Sequence, residues 1–148
     1  MSTDVLKELR EATNQSFTDI KKALTEADGD KTKALELLKQ RGAVIAEKKS
    51  SRETKSGLVV SYIHSGGTIG VLLEVVCETD FVAKNPLFVE LARDIAMHIA
   101  AMNPENNDTL LAQPYIKDAS ITAKDRITQA IAQIGENIKV SRFTRFAI

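Results

Sequence analysis

The sequence predicts an α+β protein, a small unit of three helices followed by a three-stranded antiparallel sheet packed with helices. Three observations carry this expectation. Apolar residues recur at helical spacing from Val5 to Arg41. A glycine pair, Gly66 and Gly67, separates two runs rich in β-branched residues, which is the pattern of a hairpin. A long helical stripe and a shorter one then separate that hairpin from a last strand at Asn137 to Ile148.

The helical unit opens with Val5, Leu6 and Leu9. Ser16, followed by Asp19, has the layout of a capping box, and Phe17, Ile20, Ala23, Leu24 and Ala27 continue on one face. Gly29 is placed to end this second helix in the left-handed conformation and Asp30 to cap a third, whose stripe is Ala34, Leu35 and Leu38. Gly42 is expected to stop it. The first domain is therefore drawn at residues 1–45. A unit of this size is near the lower limit for folding alone. Residues 46–56 are charged and small, with Lys48, Lys49, Arg52 and Lys55 against Glu47 and Glu53, and read as a linker or a solvated helix extension.

An α+β domain is expected over residues 57–148. Its hairpin joins Leu58–His64 to Thr68–Cys77. In the second strand Ile69, Val71, Leu73, Val75 and Cys77 share one face, while Leu72 and Val76 make the other apolar too, so this strand calls for cover on both sides. Asn85 and Pro86 start a helix, since proline gives up an N–H that has no partner in the first turn. Phe88, Leu91, Ala92, Ile95, Ile99 and Met102 form its sheet-facing stripe. Asn103–Asp108 reads as a polar loop, and Leu110–Ile116, interrupted by Pro114, has no assignable structure. Thr122 and Asp125 cap a last helix carrying Ile127, Ala130, Ile131 and Ile134, with Gly135 as its stop. The final strand changes parity between Val140 and Phe143, which requires a bulge near Ser141 or Arg142.

Composition narrows the possible functions. Twenty basic and twenty acidic residues cancel, so no global field draws the chain to nucleic acid or to an anionic membrane. No run approaches the roughly 18 consecutive apolar residues of a membrane span, and the first residues have no signal-peptide layout, so a cytoplasmic protein is expected. The single cysteine, Cys77, excludes an internal disulfide and falls on the most apolar strand face, where an inert thiol is expected. His64 and His98 lie far apart with no ligand spacing, and both are expected at the surface or on a helix flank. No glycine-rich phosphate loop occurs. Neither a cofactor nor a metal is expected. The basic and aromatic ending, Lys139, Arg142, Phe143, Arg145 and Phe146, could stack bases, but the zero net charge and the core's need for these phenylalanines weigh against nucleic acid.

Between the hairpin and the long helix runs Cys77-Glu78-Thr79-Asp80-Phe81-Val82-Ala83-Lys84-Asn85. A large apolar residue between an acid and a lysine is unusual in a connection. Two arrangements are open: Asp80 caps a turn while Phe81 plugs the core edge, or Phe81 is displayed to a partner as a wedge.

This string resembles the best signature of the translation elongation factor Ts family, guanine-nucleotide exchange factors of the GTPase elongation factor Tu. The string Leu6-Lys7-Glu8-Leu9-Arg10, the later Lys21-Lys22-Ala23-Leu24 and the Asp28-Gly29-Asp30 turn are similar to that family's ubiquitin-associated-like amino domain. Ile134-Gly135-Glu136-Asn137-Ile138, with Arg142-Phe143 and Arg145-Phe146, resembles the end of its core. The order matches over nearly the whole chain. Two departures stand out: Thr13-Asn14-Gln15-Ser16 replaces a Thr-Gly-x-Gly turn, and Ile20 stands at a cysteine position.

The resemblance implies that Thr79, Asp80, Phe81 and Val82 meet the partner. Asp80 and Phe81 would enter the GTPase near its magnesium site, Phe81 wedged between helices so that GDP leaves, while Arg10, Ser16 and Phe17 grip another helix. Longer members carry a second core subdomain and a C-terminal module, and short ones look like homodimers. An apolar sheet with too few covering helices fits a dimer through the sheet. The competing reading is an interaction adaptor of ribosomes or nascent chains without exchange activity.

Overall fold

In the computed structural model, which describes residues 2–148, the N-terminal helices begin where short polar side chains take up the free N–H groups of a first turn. Ser2 caps α1 (Thr3–Thr13), Ser16 caps α2 (Phe17–Glu26) and Asp30 caps α3 (Lys31–Lys49). The expected box at α2 is half formed: Ser16 accepts from the Asp19 N–H, but the Asp19 carboxylate takes the Ser16 hydroxyl at 2.5 Å instead of reaching the backbone. Asn14 closes α1 with φ 54° and Ser16 is extended. Only one residue of this turn needs a positive φ, and asparagine tolerates it. Leu9, Ile20, Leu24 and Leu38 are fully buried between the three helices and form a small core of their own.

Helix α3 does not stop at Gly42 as its sequence predicts. It runs on to Lys49, taking in the first part of the expected linker. Gly42 is buried because this stretch of α3 packs on α7 (Ala123–Ile134), near Ala132 and Thr128. Glycine ends a helix only when the chain turns there, and here tertiary packing holds it helical. Gln15 ties the α1–α2 turn to α3, donating to the Leu38 carbonyl at 3.0 Å, and Gln129 ties α7 to α1, donating to the Ala12 carbonyl at 3.3 Å.

Strands β1 (Ser56–Ile63), β2 (Ile69–Cys77) and β5 (Ile138–Ala147) form one antiparallel sheet in the order β1-β2-β5. Gly66 and Gly67 close the hairpin with φ 94° and 74°. Between β2 and β5, Glu74 faces Arg142 and Val75 faces Val140, so Ser141 is the extra residue that the parity change required. Val71, Leu73, Val75 and Cys77 are buried beneath α5 (Pro86–Met102) and α7, together with Phe88, Leu91, Ile95, Ile99 and Ile131. The opposite face is bare. Val59, Ile63, Leu72 and Phe146 are 62%, 65%, 55% and 74% exposed. Phe143 points inward and is half-buried, whereas Phe146, expected in the core, lies outside it because the extra residue at Ser141 turns it to the other face.

The stretch without an assignable structure is ordered. Asn106 caps a short helix α6 (Asn107–Ala112), which takes over the end of the expected polar loop. A two-stranded ribbon of β3 (Pro114–Tyr115) and β4 (Asp118–Thr122) follows, and then the Thr122–Asp125 capping box opens α7 in full.

His98, expected on a helix flank, is wholly buried and holds this ribbon. Its Nδ1 accepts the Ile116 N–H at 3.1 Å, so the neutral ring carries its proton on Nε2, which donates to the Gln113 Oε1 at 3.0 Å. Burial pushes its pKa below the ordinary value, opposed by the Gln113 bond. Asp94, also buried, pairs with Lys117 at 2.7 Å and Arg126 at 3.8 Å.

Candidate functional site

The turn between β2 and the long helix is α4 (Asp80–Ala83), a single turn of helix. Thr79, not Asp80, is its cap: the Thr79 Oγ1 accepts the Val82 N–H at 3.3 Å. Val82 and Ala83 are 5% and 6% exposed and belong to the main core. Phe81 lies between them and Asp80 at 81% exposure, so the ring points into solvent and does not plug the core edge. Asp80 is exposed beside it. Val82 is therefore an anchor of the turn, with most of its side chain spent on the protein's own core.

A phenylalanine left in water forgoes roughly 1.5–3 kcal/mol of burial. The turn keeps it out by fixing the chain on either side. Two buried side chains hold the C-terminal half, and a carboxylate holds the N-terminal half. The Glu136 Oε1 accepts the N–H groups of Glu78 (3.1 Å) and Thr79 (3.0 Å), and its Oε2 accepts the Thr79 hydroxyl at 2.8 Å.

The bond set is reciprocal. The Glu78 Oε2 accepts the Asn137 N–H at 2.7 Å, and the Asn137 Nδ2 donates to the carbonyls of Arg52 (2.8 Å) and Ser50 (3.4 Å). Arg52 stands 3.6 Å from the other oxygen of Glu78. The ends of β2 and β5 are thus laced together, and the chain leaving α3 is laced to both. Cys77, buried at the base of this turn, donates its thiol to the Thr79 carbonyl at 3.2 Å, and burial, with the Glu136 charge next, pushes its pKa up. A raised thiol pKa is the reverse of what a nucleophile needs.

The second expected contact group lies in the helical unit. Arg10 and Phe17 are brought together, the Arg10 guanidinium 4.5 Å from the centre of the Phe17 ring. Phe17 is 45% exposed, and Ser16 is spent on capping α2. The guanidinium over the ring gives one cationic and aromatic patch with a fixed geometry.

Glu136 and Asn137 stand in the sequence only as part of a string after a helix-ending glycine. Their partners are 57 to 87 residues away, and no local spacing announces them. Among the described residues no three of His, Cys, Asp and Glu are grouped to hold a metal ion, and no helix is long and apolar enough to cross a membrane.

Comparison with known proteins bears on the same segments. The family model described as Elongation factor TS matches residues 78–148, which begins at the turn and runs through β5. Elongation factor Ts of Rippkaea orientalis is 44% identical over the whole of this chain and 78% of that protein. Elongation factor Ts of Fervidobacterium nodosum is 42% identical over the whole chain and 98% of its own length, and that of Synechococcus elongatus 43% identical over the whole chain and 88% of its length. The Fervidobacterium alignment extends over 193 positions against 148 residues here, so that protein carries about 45 positions within the aligned span that this chain lacks. With the relatives covering every element described above, the chain belongs to the elongation factor Ts family.

Proposed function

We propose that this chain binds elongation factor Tu in its GDP form and accelerates GDP release by disturbing the magnesium and phosphate site, so that GTP can load. The observation that carries the reading is the display of Phe81 at 81% exposure on a turn whose following residues are buried. Asp80 beside it supplies a carboxylate that can compete for a metal ion or its bound water in the partner, while the ring separates packed helices. The Arg10–Phe17 pair grips a second place on the same partner. No covalent bond is made, so the protein is a binding factor and not an enzyme, and it acts in the cytoplasm where translation takes place.

Linkage sets the energetics. A factor that binds the nucleotide-free partner more tightly than the loaded one weakens nucleotide binding by the same ratio. Each factor of ten requires about 1.4 kcal/mol of differential contact. Burying one phenylalanine contributes roughly 1.5–3 kcal/mol, so the ring of Phe81 accounts for one to two decades.

The proposal includes a homodimer through the bare face of the β1-β2-β5 sheet. Val59, Ile63, Leu72 and Phe146 make that face apolar, with Glu74 and Arg142 paired at 3.3 Å among them. A second copy would cover this face and complete a two-layer sheet core.

Titration calorimetry against nucleotide-free and GDP-loaded elongation factor Tu tests the exchange reading. Tighter binding to the nucleotide-free form is expected, with Phe81→Ala narrowing the difference by one to two decades. Equal affinity for both forms would leave a plain adaptor, and recovery of ribosomes in place of the GTPase from a pull-down would point the same way.

A further inference from the structure

We infer that Glu136 is a positioning residue for exchange: its carboxylate fixes the turn that carries Phe81, so that the ring meets the partner already oriented. The inference rests on the reading of Phe81 as the wedge and adds to it the group that sets the wedge's direction.

A lone helical turn has no stability of its own, because nucleation fixes several residues for one hydrogen bond. The orientation of α4 must therefore come from outside it. Val82 and Ala83 anchor its far end in the core, and the Cys77 thiol reaches the Thr79 carbonyl at its start. Glu136 supplies the charged tether there. One carboxylate takes three donors, two backbone N–H groups and the Thr79 hydroxyl, all between 2.8 and 3.1 Å. Bonds to a charged acceptor are about twice as strong as neutral ones. The same hydroxyl oxygen caps α4, so Glu136 and the turn share Thr79 as a hinge pin.

Glu136 is itself held. It follows Gly135, which ends α7 in the left-handed conformation at φ 89°, and it precedes Asn137, whose backbone N–H is taken by Glu78 and whose side chain ties the carbonyls of Ser50 and Arg52. The carboxylate is set by two rigid elements, and it passes that rigidity to a loop that has little of its own. Preorganising a contact residue in its bound orientation raises affinity by cutting the ordering cost on association.

The test is a double-mutant cycle in GDP release from elongation factor Tu, with Glu136→Ala, Phe81→Ala and both together, and with Glu136→Gln as the conservative variant. Gln keeps an oxygen for the two N–H groups. Glu136→Ala is expected to lower the acceleration roughly tenfold, Glu136→Gln to restore most of it, and Glu136→Ala to have little further effect once Phe81 is already Ala.

The chain has no tryptophan and two tyrosines, so Phe81→Trp provides a single tryptophan in the free protein that is excited apart from the tyrosines at long wavelength. Its fluorescence anisotropy is expected to fall when Glu136→Ala is added and to hold with Glu136→Gln, at temperatures where circular dichroism reports each protein folded. Full activity of Glu136→Ala would overturn the inference. So would a loss that persists undiminished in the Phe81→Ala background, or anisotropy unchanged by Glu136→Ala. If Phe81→Ala alone leaves GDP release unaltered, the wedge reading fails first, and this result is distinct from an impaired Phe81→Ala beside a fully active Glu136→Ala.

Discussion

His98 shows how one buried polar residue links pH to the packing of a whole ribbon. With its Nδ1 accepting from Ile116 and its Nε2 donating to Gln113, the ring fits only when neutral. A second proton would face the Ile116 N–H donor to donor. The native pKa is lowered, chiefly by burial. A His with a lowered native pKa contributes its full stability above the unfolded value of about 6.5 and loses it as pH falls from there toward the native pKa. Urea midpoints measured from pH 8 to pH 5 are expected to decline below about pH 6.5, and His98→Asn is expected to flatten that part of the curve while lowering the plateau. Nothing in the sequence separates this histidine from a flank residue, since its partners come from a segment with no periodicity. Phe81 is the opposite case. An apolar residue inside a polar connection is visible as an anomaly, but only the folded chain decides whether its ring is buried or exposed, because the decision belongs to its neighbours. Val82 and Ala83 take the core positions, and Phe81 is left outside.

Among the elements, those with local causes were legible. Caps at Ser16, Asp30 and Thr122, the proline start of α5 and the hairpin glycines each act within a few residues, and the bulge at Ser141 follows from parity alone. Elements fixed by distant packing were not. Helix α3 passes through Gly42 because α7 lies against it, and the β3–β4 ribbon is held by His98, which takes the Ile116 N–H, and by Asp94, which pairs with Lys117.

The case of Gly42 can be measured. A methyl group there would meet Gln15 Nε2 at 3.6 Å and the Ala132 Cβ at 3.7 Å, which are ordinary contacts, and the residue is helical. Gly42→Ala is therefore expected to stabilise the protein by about 0.5–1 kcal/mol, read as a higher denaturant midpoint with an unchanged slope. A lower midpoint would mean that α3 and α7 cannot accept the extra carbon.

At the scale of the molecule, two cores meet along α3 and α7, and the sheet has one face covered and one bare. The apolar pattern on both faces of β2 was readable, and the missing cover followed from counting helices. With Ser141 bulged, Phe143 turns inward and Phe146 joins the bare face, although the scarcity of aromatics in the core argues for both inside. Leu72 is central on that face and 55% exposed. Leu72→Glu leaves the subunit's own core intact but sets a charge in each half of a symmetric interface, so sedimentation is expected to give a dimer for the parent chain and a folded monomer for the variant. A parent chain that sediments as a monomer at tens of micromolar would remove the dimer from the account.

The whole molecule presents a ring held out by its own fold, with buried residues on one side, a carboxylate clamp on the other, and a cation–aromatic patch in the helical unit to which the proposal assigns a second grip. Stopped-flow release of fluorescent GDP from elongation factor Tu, followed with increasing amounts of the parent chain and of Phe81→Ala, puts that arrangement to its most direct test. The account expects release to speed up with the parent chain and to lose at least tenfold of that gain with Phe81→Ala, the share assigned to burying one phenylalanine. Equal acceleration by the two proteins would contradict it.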